Sequence, residues 1–179
     1  MAVEPVYGQG FFHVGWGVIF YTIIFDYYDP YGEYLRVLRD NRLRREEEDY
    51  IRSRMQGFLG SERILVNGRP VNARVDSVRL ELRGLREVHS ATIHVYMEYE
   101  PLQGTNVYED YYEPDKAEYD YTVYWVAPPG GRILHVETPG RLELTAGGRV
   151  AVISVRRGTR LDGYEAVMFR LADRLGGEA

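Results

Sequence analysis

The sequence predicts an α+β domain: an antiparallel sheet of about seven strands with an N-terminal strand, a helical pair over about 30–59, and a C-terminal helix. Three observations lead there. Apolar residues between 30 and 59 recur at helical spacing. From 61 to 160 the period drops to two, giving one dry and one wet face, as in antiparallel sheets. Residues 161–179 return to helical spacing, and helices segregated from an antiparallel sheet define the class. If 164–171 form a strand instead, the alternative is an immunoglobulin-like sandwich preceded by a helical hairpin. The 179 residues read as one domain: strand plus helical pair (1–60), antiparallel β (61–160), and a C-terminal helix or strand (161–179).

The elements follow in order. FFHVGWGVIFYTIIF, residues 11–25, is β-branched and aromatic and apolar on both faces, so it predicts one long strand central to the sheet, with Gly15 and Gly17 marking a bulge or close backbone approach. It is shorter than the roughly 20 residues of a membrane-spanning helix and contains His13. Glu4 stands where a secretory signal would carry positive charge, so no membrane role is expected. Asp29-Pro30 predicts a helix start, with Asp29 capping. Tyr31, Tyr34, Leu35 and Leu38 share a face, a break falls near Asp40 and Asn41, and Tyr50, Ile51, Met55, Phe58 and Leu59 form a second stripe that Gly60 ends. The run 42–54 predicts an exposed helix face laced by Arg44/Glu48, Arg45/Asp49 and Glu48/Arg52 pairs.

Asn67-Gly68 predicts a two-residue hairpin, because both turn positions want positive φ. Alternation over 78–82, 91–100, 119–126, 132–136, 141–145 and 149–155 predicts strands, with Gly147-Gly148 a second hairpin turn. In 119–125, Tyr119, Tyr121 and Trp125 share the face read as core. At the end, Tyr164, Val167, Met168, Leu171, Ala172 and Leu175 fall at helical spacing between a capping Asp162 and a terminating Gly176, although Glu165, Val167, Phe169 and Leu171 also alternate. The element order resembles that of helix-grip folds, in which a curved sheet wraps a helix. The resemblance is one of order alone, with no family motif, and it implies an apolar ligand held between sheet and helices.

Composition narrows the function. There are no cysteines, which excludes disulfides, thiol nucleophiles and cysteine metal sites and fits a cytoplasmic protein. The net charge of −5 disfavours nucleic acid as a partner. The basic residues are 21 arginines and Lys116 alone, set against 27 carboxylates. Arginine pairs carboxylates through a planar fork, and such networks gain value when hot, so the composition is thermophile-like; a GC-rich genome biases codons the same way. His13, His89, His94 and His135 show no ligand spacing, no nucleophile motif is present, and GQGFFHVGWG lacks the spacing of a dinucleotide loop. Neither a metal nor a cofactor is expected, and no catalytic residue is assigned.

The densest feature is NVYEDYYEPDKAEYDYTVYW, residues 106–125. With 119–125 read as strand, 106–118 becomes a long acidic loop, and long loops warrant suspicion. It has no calcium-loop pattern. Tyrosine favours interfaces, and carboxylates would select a basic partner. The leading expectation is therefore a non-enzymatic binding or assembly module using Tyr108, Glu109, Asp110, Tyr111, Tyr112 and Glu113, with Tyr108, Tyr111 and Tyr112 at the surface. Its partner is a basic protein or a second copy presenting Arg132, Arg141, Arg149, Arg156, Arg157 and Arg160. Two alternatives stand beside it: a small apolar-ligand carrier with a cavity between sheet and helices, and an enzyme whose acid–base pair comes from Glu98, Glu100 or their neighbours.

Overall fold

The computed structural model describes residues 3–172. In chain order the elements are β1 (Glu4–Val14), β2 (Val18–Tyr28), α1 (Glu33–Arg39), α2 (Asn41–Ser61), β3 (Arg63–Val66), β4 (Arg69–Pro70), β5 (Arg74–Leu82), β6 (Val88–Glu98), β7 (Thr105–Tyr111), β8 (Asp115–Lys116), β9 (Asp120–Val126), β10 (Arg132–Glu137), β11 (Arg141–Thr145), β12 (Val150–Val155), β13 (Arg160–Leu161) and β14 (Tyr164–Arg170). A seven-stranded sheet has the order β11-β12-β9-β1-β2-β6-β5, a five-stranded sheet the order β10-β14-β7-β3-β4, and β13 pairs with β8. Two helices with several sheets make the fold α+β, but the large sheet is mixed. Its β1 and β9 run parallel, where an antiparallel sheet was expected. Parallel neighbours need a long crossover, and here both helices and several strands lie between them in sequence.

Helix α2 and the five-stranded sheet lie side by side over one face of the large sheet. Helix α2 covers the end near β5, where Ile51 and Met55 approach Phe25 and Ile93 across a groove. The five-stranded sheet covers the other end, where Tyr108 meets Phe12 at 6.4 Å and Trp125 at 4.9 Å between ring centroids. The most deeply buried side chains, among them Ile19, Ile93, Met97 and Phe169, lie between these layers. The sandwich alternative therefore describes how two sheets face each other, while the parallel pair and the helices depart from it.

Several elements differ from the sequence reading, each for a physical reason. Residues 11–25 are not one strand: they span a hairpin whose turn has Gly17 at φ +76 and the Gly15 N–H donating to the Val18 carbonyl at 2.8 Å. The resulting β1 and β2 are both central, as expected. Asp29 does cap, accepting the N–H groups of Glu33 and Tyr34 at 2.9 and 2.8 Å, but the helix begins at Glu33 and Pro30 lies in the turn before it. Asp40 accepts the Arg42 and Leu43 N–H groups, which starts α2 at the expected break. Gly60 does not end α2, which runs on to Ser61. The helix-face ion pairs are Arg42–Glu46 and Arg52–Asp49 rather than those the spacing suggested. Glu48 turns inward instead, accepting the Leu80 N–H at 3.0 Å.

Over the described residues 161–172 the expected C-terminal helix is not formed. Residues 164–170 are the strand β14, paired on both sides, with β7 and with β10. Two neighbours satisfy its backbone groups in full, and this decides a pattern that fitted both periods. Leu175 and Gly176 lie outside the described residues. The Asn67-Gly68 hairpin is present, with φ +55 and +73. Among the described residues, no helix is long and apolar enough to cross a membrane.

Candidate functional site

The acidic segment is mostly strand. Residues 105–111 form β7, inside the five-stranded sheet between β14 and β3. The alternation was hidden because the inward positions Asn106, Tyr108 and Asp110 carry polar atoms. Asn106 is fully buried and satisfied: its amide oxygen accepts from the Leu102 N–H and the Asn67 side chain, and its amide nitrogen donates to the Leu102 and Gly104 carbonyls. Tyr108 is core, 5 % exposed, and not the surface residue expected.

The six expected binding residues are thus divided. Glu109 and Tyr111 face outward, where the Tyr111 and Tyr164 hydroxyls donate to Glu109 at 3.0 and 3.2 Å and Arg63 lies over the Tyr111 ring. Glu113 is exposed beyond the end of β7. Tyr108, Asp110 and Tyr112 turn inward. The arginines between 132 and 160 do not form one strip, since Arg132, Arg141 and Arg160 belong to three different sheets.

The inward half of the segment builds a carboxylate cluster. Glu165 on β14 lies directly opposite Asp110 on β7, and Ile64 on β3 lies directly opposite Asp110 on the other side. Glu62, two residues before Ile64, shares its face. Like charges directly opposite on one face of a sheet destabilise it. Burial, then repulsion from Asp110 and Glu165, pushes the Glu62 carboxyl up to about 8. Burial, then Asp110, pushes Glu165 up to about 7, against hydrogen bonds from Tyr112 and Thr138. Burial pushes Asp110 up to about 6, against its bond from Tyr108. No basic side chain figures in any of these shifts, and none of the ion pairs among the described residues involves the three carboxylates. Asp110 Oδ1 is buried without a hydrogen-bond partner.

Tyrosines surround the cluster. The Tyr108 hydroxyl donates to Asp110 Oδ2 at 3.3 Å and the Tyr112 hydroxyl to Glu165 at 3.4 Å. Tyr21 and Tyr121 approach from the large sheet. All four phenols are raised, first by burial and then by these carboxylates, with other tyrosines adding to the shifts of Tyr108, Tyr112 and Tyr121.

A groove lies on the same face of the large sheet, and none of the three carboxylates lines it; Glu62 lines a separate hollow with Gln56, Leu59, Val71 and Arg74. The groove measures about 370 Å³ and is lined by Phe25, Tyr27 and Ile93 of the large sheet, Tyr34 of α1, and Ile51, Met55 and Phe58 of α2, with Glu47, Tyr50 and Arg54 of α2 bringing polar and charged groups to it. Tyr21 lies on the same face of β2 as Phe25, four residues or about 13 Å along the strand. Glu62, the extended residue just after α2 ends at Ser61, follows Phe58 by four residues, about 6 Å. Gly8 joins the two regions, pairing with Phe25 on one side and Tyr121 on the other. A Cβ there would stand 3.1 Å from the Tyr119 ring and 3.2 Å from Tyr121 Cβ, so glycine is what lets those tyrosines lie against the floor.

Glu98 and Glu100, the earlier acid–base candidates, are both exposed, and Glu100 pairs with Arg69. Glu62, Glu165, Tyr21 and Tyr121 were missed as site residues. Glu165 carried a readable signal, a carboxylate in register with the core positions Val167 and Phe169. Among the described residues, no group of histidine, aspartate and glutamate side chains has the arrangement of a metal site. No protein-family model matches the chain, and no curated protein matches it significantly.

Proposed function

We propose that the chain is a binding module whose ligand has an apolar body and a cationic head, a protonated amine or guanidinium. The body lies in the groove between α2 and the large sheet, and the head reaches Glu62, Asp110 and Glu165. The observation that carries this reading is three mutually repelling, half-buried carboxylates, none of them in an ion pair among the described residues, on the same side of the large sheet as the groove. A bound cation relieves that repulsion and takes up the free acceptor on Asp110. The tyrosine rings suit such a ligand, because aromatic faces attract cations. The reading keeps the acidic tyrosine-rich segment as the recognition element and places the contact in a groove, where the head can belong to a small molecule or to a basic side chain of a partner.

Calorimetric titration with decylammonium and with decanol, both below their aggregation limits, tests it. A hydrogen bond to a charged group contributes about 1.5–3 kcal/mol, so decylammonium should bind roughly 10–100-fold more tightly than decanol at pH 8. The advantage should shrink toward pH 5, as the carboxylates protonate. Glu165→Gln should reduce it at pH 8. Equal binding of both probes at both pH values would leave only an apolar-ligand carrier.

A second reading rests on the carboxyls lying near 6, 7 and 8. Groups in that range suit general acid–base chemistry, so the site could move protons on a bound cation. Turnover lost in both Glu165→Gln and Glu62→Gln would distinguish this from binding alone.

A further inference from the structure

Among the described residues, no element covers the other face of the seven-stranded sheet. Its registers place three successive rows of five side chains across β12, β9, β1, β2 and β6: one row through Phe11, one through Gln9 and one through His13. None of these fifteen positions is Asp, Glu, Lys or Arg, although 27 % of the chain is charged and about four would be expected there. Phe11, Phe20, Ile24, Tyr96, Tyr124 and Val152 dominate the face instead. Phe11 stacks on Tyr124 at 4.9 Å, and Phe20, beside Tyr96, is 56 % exposed. Charge returns around the margin, as Arg141 and Glu143 on β11, Arg74 and Arg79 on β5, and at the strand ends as Asp26 on β2, Asp120 on β9 and Glu98 on β6. An aromatic centre free of charge with a polar rim is the anatomy of a protein interface.

We propose that this face is the contact between two copies of the chain. The uncharged centre is about 24 Å across the strands and about 20 Å along them. With the rim strands the face covers about 680 Å², within the roughly 600–1,000 Å² per partner of standard interfaces. A two-fold contact sets uncharged centre against uncharged centre, so no charge is desolvated at its middle. Two sheets of identical twist also fit each other, stacking about 10 Å apart with strands about 30° off parallel. This contact is distinct from self-association steered by the acidic segment, because nothing at its centre is charged.

Sedimentation velocity on the full chain from 1 to 100 µM tests it. The expected result is a dimer that persists or tightens between 50 mM and 1 M salt. Phe20→Glu and, separately, Tyr124→Arg should each weaken it at least a hundredfold while the far-ultraviolet circular dichroism is unchanged. Phe20 is the control against misfolding, since more than half of its surface is already exposed. Tyr111→Arg, on the outer face of the other sheet, should leave the dimer intact. A monomer at 100 µM overturns the proposal, whether or not it binds lipid vesicles. A dimer that dissolves in salt, or that survives both face substitutions, overturns it equally.

Discussion

Replacing Glu165 with glutamine should stabilise the protein at pH 8 and leave it nearly unchanged at pH 5. Burial and Asp110 hold the Glu165 carboxyl at about 7, against an ordinary 4.5. A displacement of that size corresponds to about 3 kcal/mol. Because the folded state binds this proton more tightly than the unfolded state, the stability it confers is full below pH 4.5 and is lost as pH rises through 7. At pH 8 the folded chain holds an ionised, largely buried carboxylate opposite Asp110, and glutamine removes that charge. Part of the relief passes to Glu62, which Glu165 also repels, since the three carboxyls titrate as a coupled set. Some is offset, because the new amide must find partners for its own N–H groups. We take about 2 kcal/mol as the net gain at pH 8, or about 4–8 °C in Tm for a chain of this size. Thermal and urea melts of both proteins at pH 5, 6, 7 and 8 measure it. The wild type should lose stability over that range and the variant should lose less. A flat wild-type profile, or a variant less stable than wild type at pH 8, would refute the assignment of these carboxyls as mutually destabilising.

Further expectations follow from the fold. Asn67→Val should cost at least about 3 kcal/mol by urea denaturation. It forces a β-branched residue to φ +55 and removes the Asn67 bonds to the Val107 N–H, the Glu100 carbonyl and Asn106; a loss below 1 kcal/mol would mean the turn has another form. Tyr108→Ala should cost about 3–5 kcal/mol as a core aromatic, whereas Tyr111→Ala should cost less than about 1 kcal/mol, and equal losses would contradict the inward and outward division of β7. Gly57→Ala, inside α2 with nothing within 4 Å of the added methyl, should stabilise by about 0.5–1 kcal/mol. Gly8→Ala should lower both Tm and decylammonium affinity, because its Cβ meets Tyr119 and Tyr121.

The sequence showed best those features whose cause is local. Asp40 capping α2 and Asn67-Gly68 turning the hairpin each depend on a few adjacent residues, and both were legible. The strands from β9 to β12 were legible because their alternation is apolar against polar. What failed depended on partners distant in sequence. Residues 164–170 fit helix and strand alike until β7 and β10 supply neighbours on both sides. Residues 11–25 looked like one strand because the hairpin is apolar on both faces, one toward the core and the other covered by none of the described residues. The site was half legible. Asp110, Tyr108 and Tyr112 lay in the acidic segment, but a strand whose inward positions are Asn106, Tyr108 and Asp110 shows no apolar period. Glu62 and Glu165 join Asp110 only through the registers of β3 and β14, which no local pattern encodes.

The central claim is that a cation occupies the carboxylate cluster, and proton release on binding tests it most directly. Calorimetric titration of decylammonium at pH 6.5, repeated in buffers of different ionisation enthalpy, gives the number of protons exchanged. Carboxyls at about 6, 7 and 8 are partly protonated there, so a cation seated among them should expel about one proton, and Glu165→Gln should reduce that number. Binding with no proton exchange, or exchange unaltered by the substitution, would place the head away from Glu62, Asp110 and Glu165 and contradict the account.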